Sequence, residues 1–215
     1  VANTNADDVY NDASTMTATV TNVTGGNFEA VDFSQATTTI DVSDTIDTTT
    51  VSISGGNIAE GAANATFEVS FENPAQTSGS VTITVNGVEY TESFEAGASS
   101  VTFTVANTNA DDVYNDASTM TATVTNVTGG NFEAVDFSNA TTTINVADTV
   151  DTTTVSISGG NIAEGAANAT FAVSFENPAQ TSGSVTITVN GVEYTETFEA
   201  GASSVTFTVA NTNAD

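Results

Sequence analysis

Val1-Ala2-Asn3-Thr4-Asn5-Ala6-Asp7-Asp8 recurs 104 residues later from Val105 and starts again at Val209, another 104 residues on. A period of this length is one domain per repeat, since solenoid units recur every roughly 20–50 residues. Between residues 1–104 and 105–208 six pairs differ: Gln35/Asn139, Asp41/Asn145, Ser43/Ala147, Ile46/Val150, Glu68/Ala172 and Ser93/Thr197. The carboxylates of Asp41 and Glu68 are thus dispensable in one copy. Residues 1–46 carry the later strands of the repeat, and those from 152 carry the earlier ones. The chain therefore reads as half, whole, half. Residues 1–47 form a C-terminal half, 48–151 a complete β-sandwich repeat, and 152–215 an N-terminal half.

Within the complete repeat, apolar residues alternate with polar ones at period 2, the strand signature. Val51 and Ile53 open it, and Ser54-Gly55-Gly56-Asn57 closes that strand with turn residues. Phe67, Val69 and Phe71 follow, ended by Asn73-Pro74, and then Val81, Ile83 and Val85. Asn86-Gly87 predicts a type I′ hairpin into Val88-Glu89-Tyr90. Val101 to Val105, Met120 to Val124 and Thr141 to Val146 complete about seven strands, interrupted at Gly129-Gly130-Asn131-Phe132-Glu133. No helical periodicity exceeds one turn. The expected fold is all-β, an immunoglobulin-like antiparallel β-sandwich in tandem.

Charge sets the chemistry. The chain has 27 Asp plus Glu and no Lys, Arg or His, a formal net charge of −27. Nucleic acid and anionic membrane surfaces require basic residues, so both are excluded as partners. With no run of about 18 apolar residues, no membrane insertion is expected in this segment. Without Cys, disulfides and thiolate metal sites are absent, leaving oxygen ligands. Missing His, Cys and Lys also removes most general bases and activated nucleophiles. Paired carboxylates act in glycosidases, but no Trp and 7% aromatics poorly furnish a sugar cleft, so no enzymatic activity is expected.

Uncompensated charge opposes compaction, and a bound divalent cation is the economical remedy. Ca²⁺ takes about six to eight oxygen ligands, which points to loop clusters rather than isolated strand acids. Three qualify. The first is the joint between repeats, Asp44 and Asp47 and again Asp148 and Asp151, with Glu60 or Glu164 as a third ligand if its loop folds back. The second is Asp111, Asp112 and Asp116, repeated at Asp7, Asp8 and Asp12, with Asn109 and Asn115 near by. The third is Asn131 and Glu133 with Asp136. Each of these also reads as a plain solvated loop, and none has EF-hand spacing. Glu89, Glu92 and Glu95 read as the solvent side of a strand. Asn22-Val23-Thr24 and Asn64-Ala65-Thr66 match glycosylation acceptors, which arise by chance in so Asn- and Thr-rich a chain. The alternating Thr residues reflect β-propensity better than a flat ice-binding face.

Ala59-Glu60-Gly61, the acidic loop Asp111 to Asp116, Gly129 to Ala134 and the Asp148 to Val155 joint together resemble the tandem extender repeats of giant RTX-type bacterial adhesins. The resemblance covers the whole chain. It implies immunoglobulin-like extender domains holding several Ca²⁺ ions per repeat, in loops and between domains. It further implies type I export in unfolded form and display on the cell surface, with ice or host binding left to other regions. The expected partners are neighbouring identical repeats. Residues 152–208 of one chain and 1–47 of another also make a complete strand set, so head-to-tail complementation between chains is expected. The competing reading is an adhesive module that itself binds a glycan or protein.

Overall fold

The computed structural model describes residues 1–212, so the last three residues of the expected 152–215 segment lie outside the described residues. The chain divides into two compact units. One comprises Val1–Thr108 with Ser118–Ala147, the other Asn109–Ala117 with the residues from Asp148 onward.

In the first unit, β1 (Ser14–Thr19) and β2 (Thr37–Val42) pair antiparallel as a two-stranded sheet. The strands that follow are β3 (Thr48–Gly55), β4 (Ile58–Ala59), β5 (Asn64–Phe71), β6 (Gly79–Val85), β7 (Val88–Phe94), β8 (Ser100–Ala106), β9 (Ser118–Gly129), β10 (Ala134–Asn139) and β11 (Thr141–Ala147). They build two sheets, ordered β10-β3-β5-β8 and β4-β11-β9-β6-β7. Alternation puts one face of each strand inward. Val51, Phe67, Val69 and Phe103 from the first sheet meet Val81, Ile83, Ala122 and Ile144 from the second in one buried cluster. Their intervening Ser and Thr residues face outward, the arrangement of a β-sandwich.

Asn86 and Gly87 both have positive φ, 47° and 86°, as the type I′ turn between β6 and β7 requires. Two strands were not legible. β4 is two residues long, and β10 directly follows the stretch where alternation breaks. Both also depart from the expected antiparallel pattern, because β10 pairs parallel with β3 and β4 parallel with β11.

The second unit contains β12 (Val155–Gly159), β13 (Asn168–Phe175), β14 (Gly183–Val189), β15 (Val192–Phe198) and β16 (Ser204–Ala210). Their sheets are β12-β13-β16 and β14-β15, around a small core of Val173, Ile187, Val205, Phe207 and Val209. Strands corresponding to β9, β10 and β11 are missing from it among the described residues, so Phe171 is only partly buried where its counterpart Phe67 is fully buried.

That difference is measurable. Phe67→Ala should cost about 3–5 kcal/mol, the usual loss for a buried Phe, and Phe171→Ala clearly less. Urea unfolding monitored by circular dichroism compares the two variants, and equal losses would contradict the burial described.

Candidate functional site

The acidic segment Asp7 to Asp12 is shaped by its own side chains. Asp8 Oδ1 accepts the Tyr10 amide at 2.8 Å, and Asn5 Nδ2 donates to the Asp12 carbonyl at 3.1 Å. The segment then docks against the complete repeat. The Tyr10 hydroxyl donates to the Pro74 carbonyl at 2.6 Å, and its ring stacks on Phe132 with centroids 5.9 Å apart. Backbone pairing completes the grip: Asn11 donates to the Asn131 carbonyl and Glu133 to the Val9 carbonyl, both at 3.0 Å.

Docking brings Asp7 and Asp12 to the joint. Thr45 Oγ1 donates to Asp7 Oδ1, and the Asp12 amide donates to Asp44 Oδ2 at 3.1 Å. Glu133 joins them, its Oε2 accepting the Asp47 amide. Its Oε1 is shielded from solvent and has no hydrogen-bond partner. The Asp47 amide favours the charged form of Glu133, but desolvation and the neighbouring carboxylates of Asp44 and Asp47 prevail and raise its pKa above the ordinary value.

The second unit repeats the arrangement. Thr149 Oγ1 donates to Asp111 Oδ1 at 2.7 Å and to Asp151 Oδ2 at 3.3 Å, while the Asp116 amide donates to Asp148 Oδ1 at 3.3 Å. Carboxylate oxygens of Asp111 and Asp151 lie within 4.8 Å of each other, as do those of Asp116 and Asp148. Tyr114 docks as Tyr10 does, its hydroxyl donating to the Pro178 carbonyl at 2.7 Å.

The remaining candidates have other positions. Asp112 Oδ1, like Asp8, accepts the amide two residues on, from Tyr114 at 2.7 Å. Asp136 is engaged by Ser138, through the amide at 2.9 Å and the hydroxyl at 2.8 Å. Asn131 turns its side-chain amide to Gln76 Oε1 at 2.9 Å. Glu60 is buried at the exit of β11, where its amide donates to the Ala147 carbonyl at 2.8 Å. Its counterpart Glu164 is exposed in a turn, with no β11 equivalent beside it among the described residues. The sequence grouped Glu133 with Asp136, yet the structure brings Glu133 to Asp44 and Asp47, 86 residues from Asp47 along the chain. Thr45, Thr149, Tyr10 and Tyr114 were not singled out at all. The identical 64-residue spacing from each Tyr to the Pro it binds follows from the repeat itself and carries no separate signal.

Chemically the site offers oxygen donors alone, several of them like-charged and one solvent-shielded. That donor set suits a hard divalent cation.

The LapA domain family model matches residues 1–45 and 47–149. A comparison with curated proteins finds no match. Among solved structures, a two-domain protein of unknown function from Bacteroides fragilis is similar with a TM-score of 0.35 and 11% identity, over 76% of this chain and 86% of that one. A structure concerning host cell surface retention of a 1.5-MDa bacterial ice-binding adhesin is similar with a TM-score of 0.24 and 16% identity, over 74% of this chain and 53% of that one.

Glu133 gives the site a pH signature. Because its folded pKa is raised, the folded state binds that proton more tightly than the unfolded chain does. In chelator, stability should therefore rise as pH falls from neutral through the raised pKa toward the ordinary carboxylate value, and Glu133→Gln should flatten that rise. Thermal melts across this range test it; a rise of equal steepness in the Gln variant would refute the assignment.

Proposed function

This chain belongs to the LapA domain family of large adhesins, and we propose that it serves there as a non-catalytic extender, folded and stiffened by Ca²⁺ at its joints. The observation that carries this reading is the convergence of Asp44, Asp47 and Glu133, with Glu133 Oε1 shielded and unpaired, in a chain holding no cationic side chain. A buried carboxylate oxygen among like charges is costly unless something positive compensates it.

At the first joint, Asp7, Asp12, Asp44, Asp47 and Glu133 would hold the ion. At the second, Asp111, Asp116, Asp148 and Asp151 would do so. Asp8 and Asp112 also shape the loop through their bonds to the Tyr10 and Tyr114 amides. The repeating unit is 48–151, an immunoglobulin-like sandwich, and the halves 1–47 and 152–215 belong to its neighbours in the array. Among the described residues no helix is long and apolar enough to cross a membrane. The extender stands on the bacterial surface and projects a distal binding domain. Where Ca²⁺ is scarce, as in the cytosol, repulsion keeps the chain unfolded for type I export of an RTX-type protein; outside, each occupied site adds about 1.4 kcal/mol at ten times Kd.

A thermal melt in EDTA and then in millimolar Ca²⁺, with Mg²⁺ as control, tests this. Ca²⁺ should raise Tm by several degrees or more, and Asp44→Asn with Asp47→Asn should remove a large part of the gain. Scattering should show the maximum dimension becoming better defined as Ca²⁺ is added. A Tm indifferent to Ca²⁺ would overturn the reading and favour an adhesive module that binds a glycan or protein itself.

A further inference from the structure

Asn-Gly occurs twice in the chain, at Asn86-Gly87 and Asn190-Gly191, each at the tip of a hairpin. This dipeptide carries chemistry of its own. The side-chain carbonyl carbon of an asparagine can reach the next residue's amide nitrogen, and glycine has no side chain to shield that nitrogen. Asn86 and Gly87 are exposed, and a Cβ at Gly87 would meet nothing within 4 Å. The nucleophile and water are both at hand.

What holds the Asn86 side chain is β9. The β6–β9 ladder ends at Val85↔Ala122. Beyond it the Asn86 amide donates to the Thr121 carbonyl at 3.1 Å. The side chain then continues the pairing as a strand backbone would. Its Oδ1 accepts the Thr121 amide at 3.0 Å, and its Nδ2 donates to the Thr119 carbonyl at 3.4 Å. Both ends of the amide group are committed to the neighbouring strand, so turning Cγ toward the Gly87 nitrogen requires both bonds to break.

We propose that Asn86 is a latent deamidation site that β9 keeps closed. When β9 separates from β6, the Gly87 nitrogen attacks Asn86 Cγ, a C–N bond forms, and ammonia leaves with the glycine proton. Water opens the resulting cyclic imide at either carbonyl, giving aspartate or isoaspartate, and nothing is oxidised or reduced. Aspartate sets a carboxylate oxygen against the Thr119 carbonyl in place of the Nδ2 donor. Isoaspartate lengthens the turn backbone by a methylene. The change is one-way and adds negative charge to a chain with no cationic side chain. Time spent with β9 detached is thereby recorded covalently, and a repeat so marked re-forms this pairing less well. The inference rests on backbone pairing and stands independently of the cation reading.

Asn190-Gly191 has the same flanking residues and the same turn, with φ of 51° and 85°, but β14 pairs with β15 alone, so it serves as the reference turn without β9. The chain is held in mildly alkaline buffer, either folded in millimolar Ca²⁺ or unfolded in guanidinium. Cleavage before aspartates releases fragments starting at Asp47 and Asp151, which differ at Glu68/Ala172 and Ser93/Thr197. Tandem mass spectrometry therefore follows each site separately. Both should convert at the same rate in guanidinium. In the folded chain Asn86 should convert at least about tenfold more slowly than Asn190, since two hydrogen bonds must open together. Asn86→Asp should lower Tm by several degrees, while Asn190→Asp should change it little. Equal rates at the two sites in the folded chain, conversion of Asn86 no slower there than in guanidinium, or equal effects of the two Asp variants would each overturn it.

Discussion

Repulsion between carboxylates that the fold itself brings together governs this molecule. The backbone amides of Asp12 and Asp47 and the hydroxyl of Thr45 offset part of it by donating to Asp44, Glu133 and Asp7. These are dipoles, and they leave the net charge untouched. With Glu133 Oε1 shielded from water and unpaired, screening by solvent is weakest where the negative charge is densest. Elsewhere the acids are spread along exposed strand faces, as at Glu89 and Glu92, where water and salt moderate them.

Most of the strand order was legible because half-buried strands declare themselves by alternation. Val51-Ser-Ile53 and Phe67-Glu-Val69 place every second residue inward, as the structure has them. Asn86-Gly87 fixed a hairpin because two consecutive residues there must take positive φ. β10 escaped notice because its pairing with β3 is parallel and slips register between Asp136 and Asn139. Its residues have no clean inner and outer face to read. The site was legible in part. Carboxylate spacing identified Asp44, Asp47 and the acidic loop as a chemically unusual grouping, but nothing local could show that Glu133 joins them. That convergence depends on Tyr10 finding Pro74 and Phe132, a contact between residues far apart in the chain.

The near-identity of the copies has a physical use. One sequence placed in two environments acts as its own control. Ile40 and Ile144 share nearly the same local sequence, yet one is exposed and the other enclosed. The strand forms in both, so local pattern and its hairpin partner suffice for strand formation. Enclosure needs the opposing sheet. Other segments differ between copies: Ala134–Asn139 is a strand while the matching residues 30–35 are not, so part of the secondary structure, like the core, depends on its neighbours.

The docked Tyr10 segment has a kinematic consequence. A single peptide link between residues 47 and 48 would leave neighbouring segments free to swivel about two soft dihedrals. Val9 to Asn11 attach at a second point, through backbone pairs to Asn131 and Glu133 and the Tyr10 hydroxyl bond. Two attachments separated in space close a ring of chain. A closed ring of this kind transmits torque that a single covalent thread would let slip, so twist applied at one end of such an array would be carried along it.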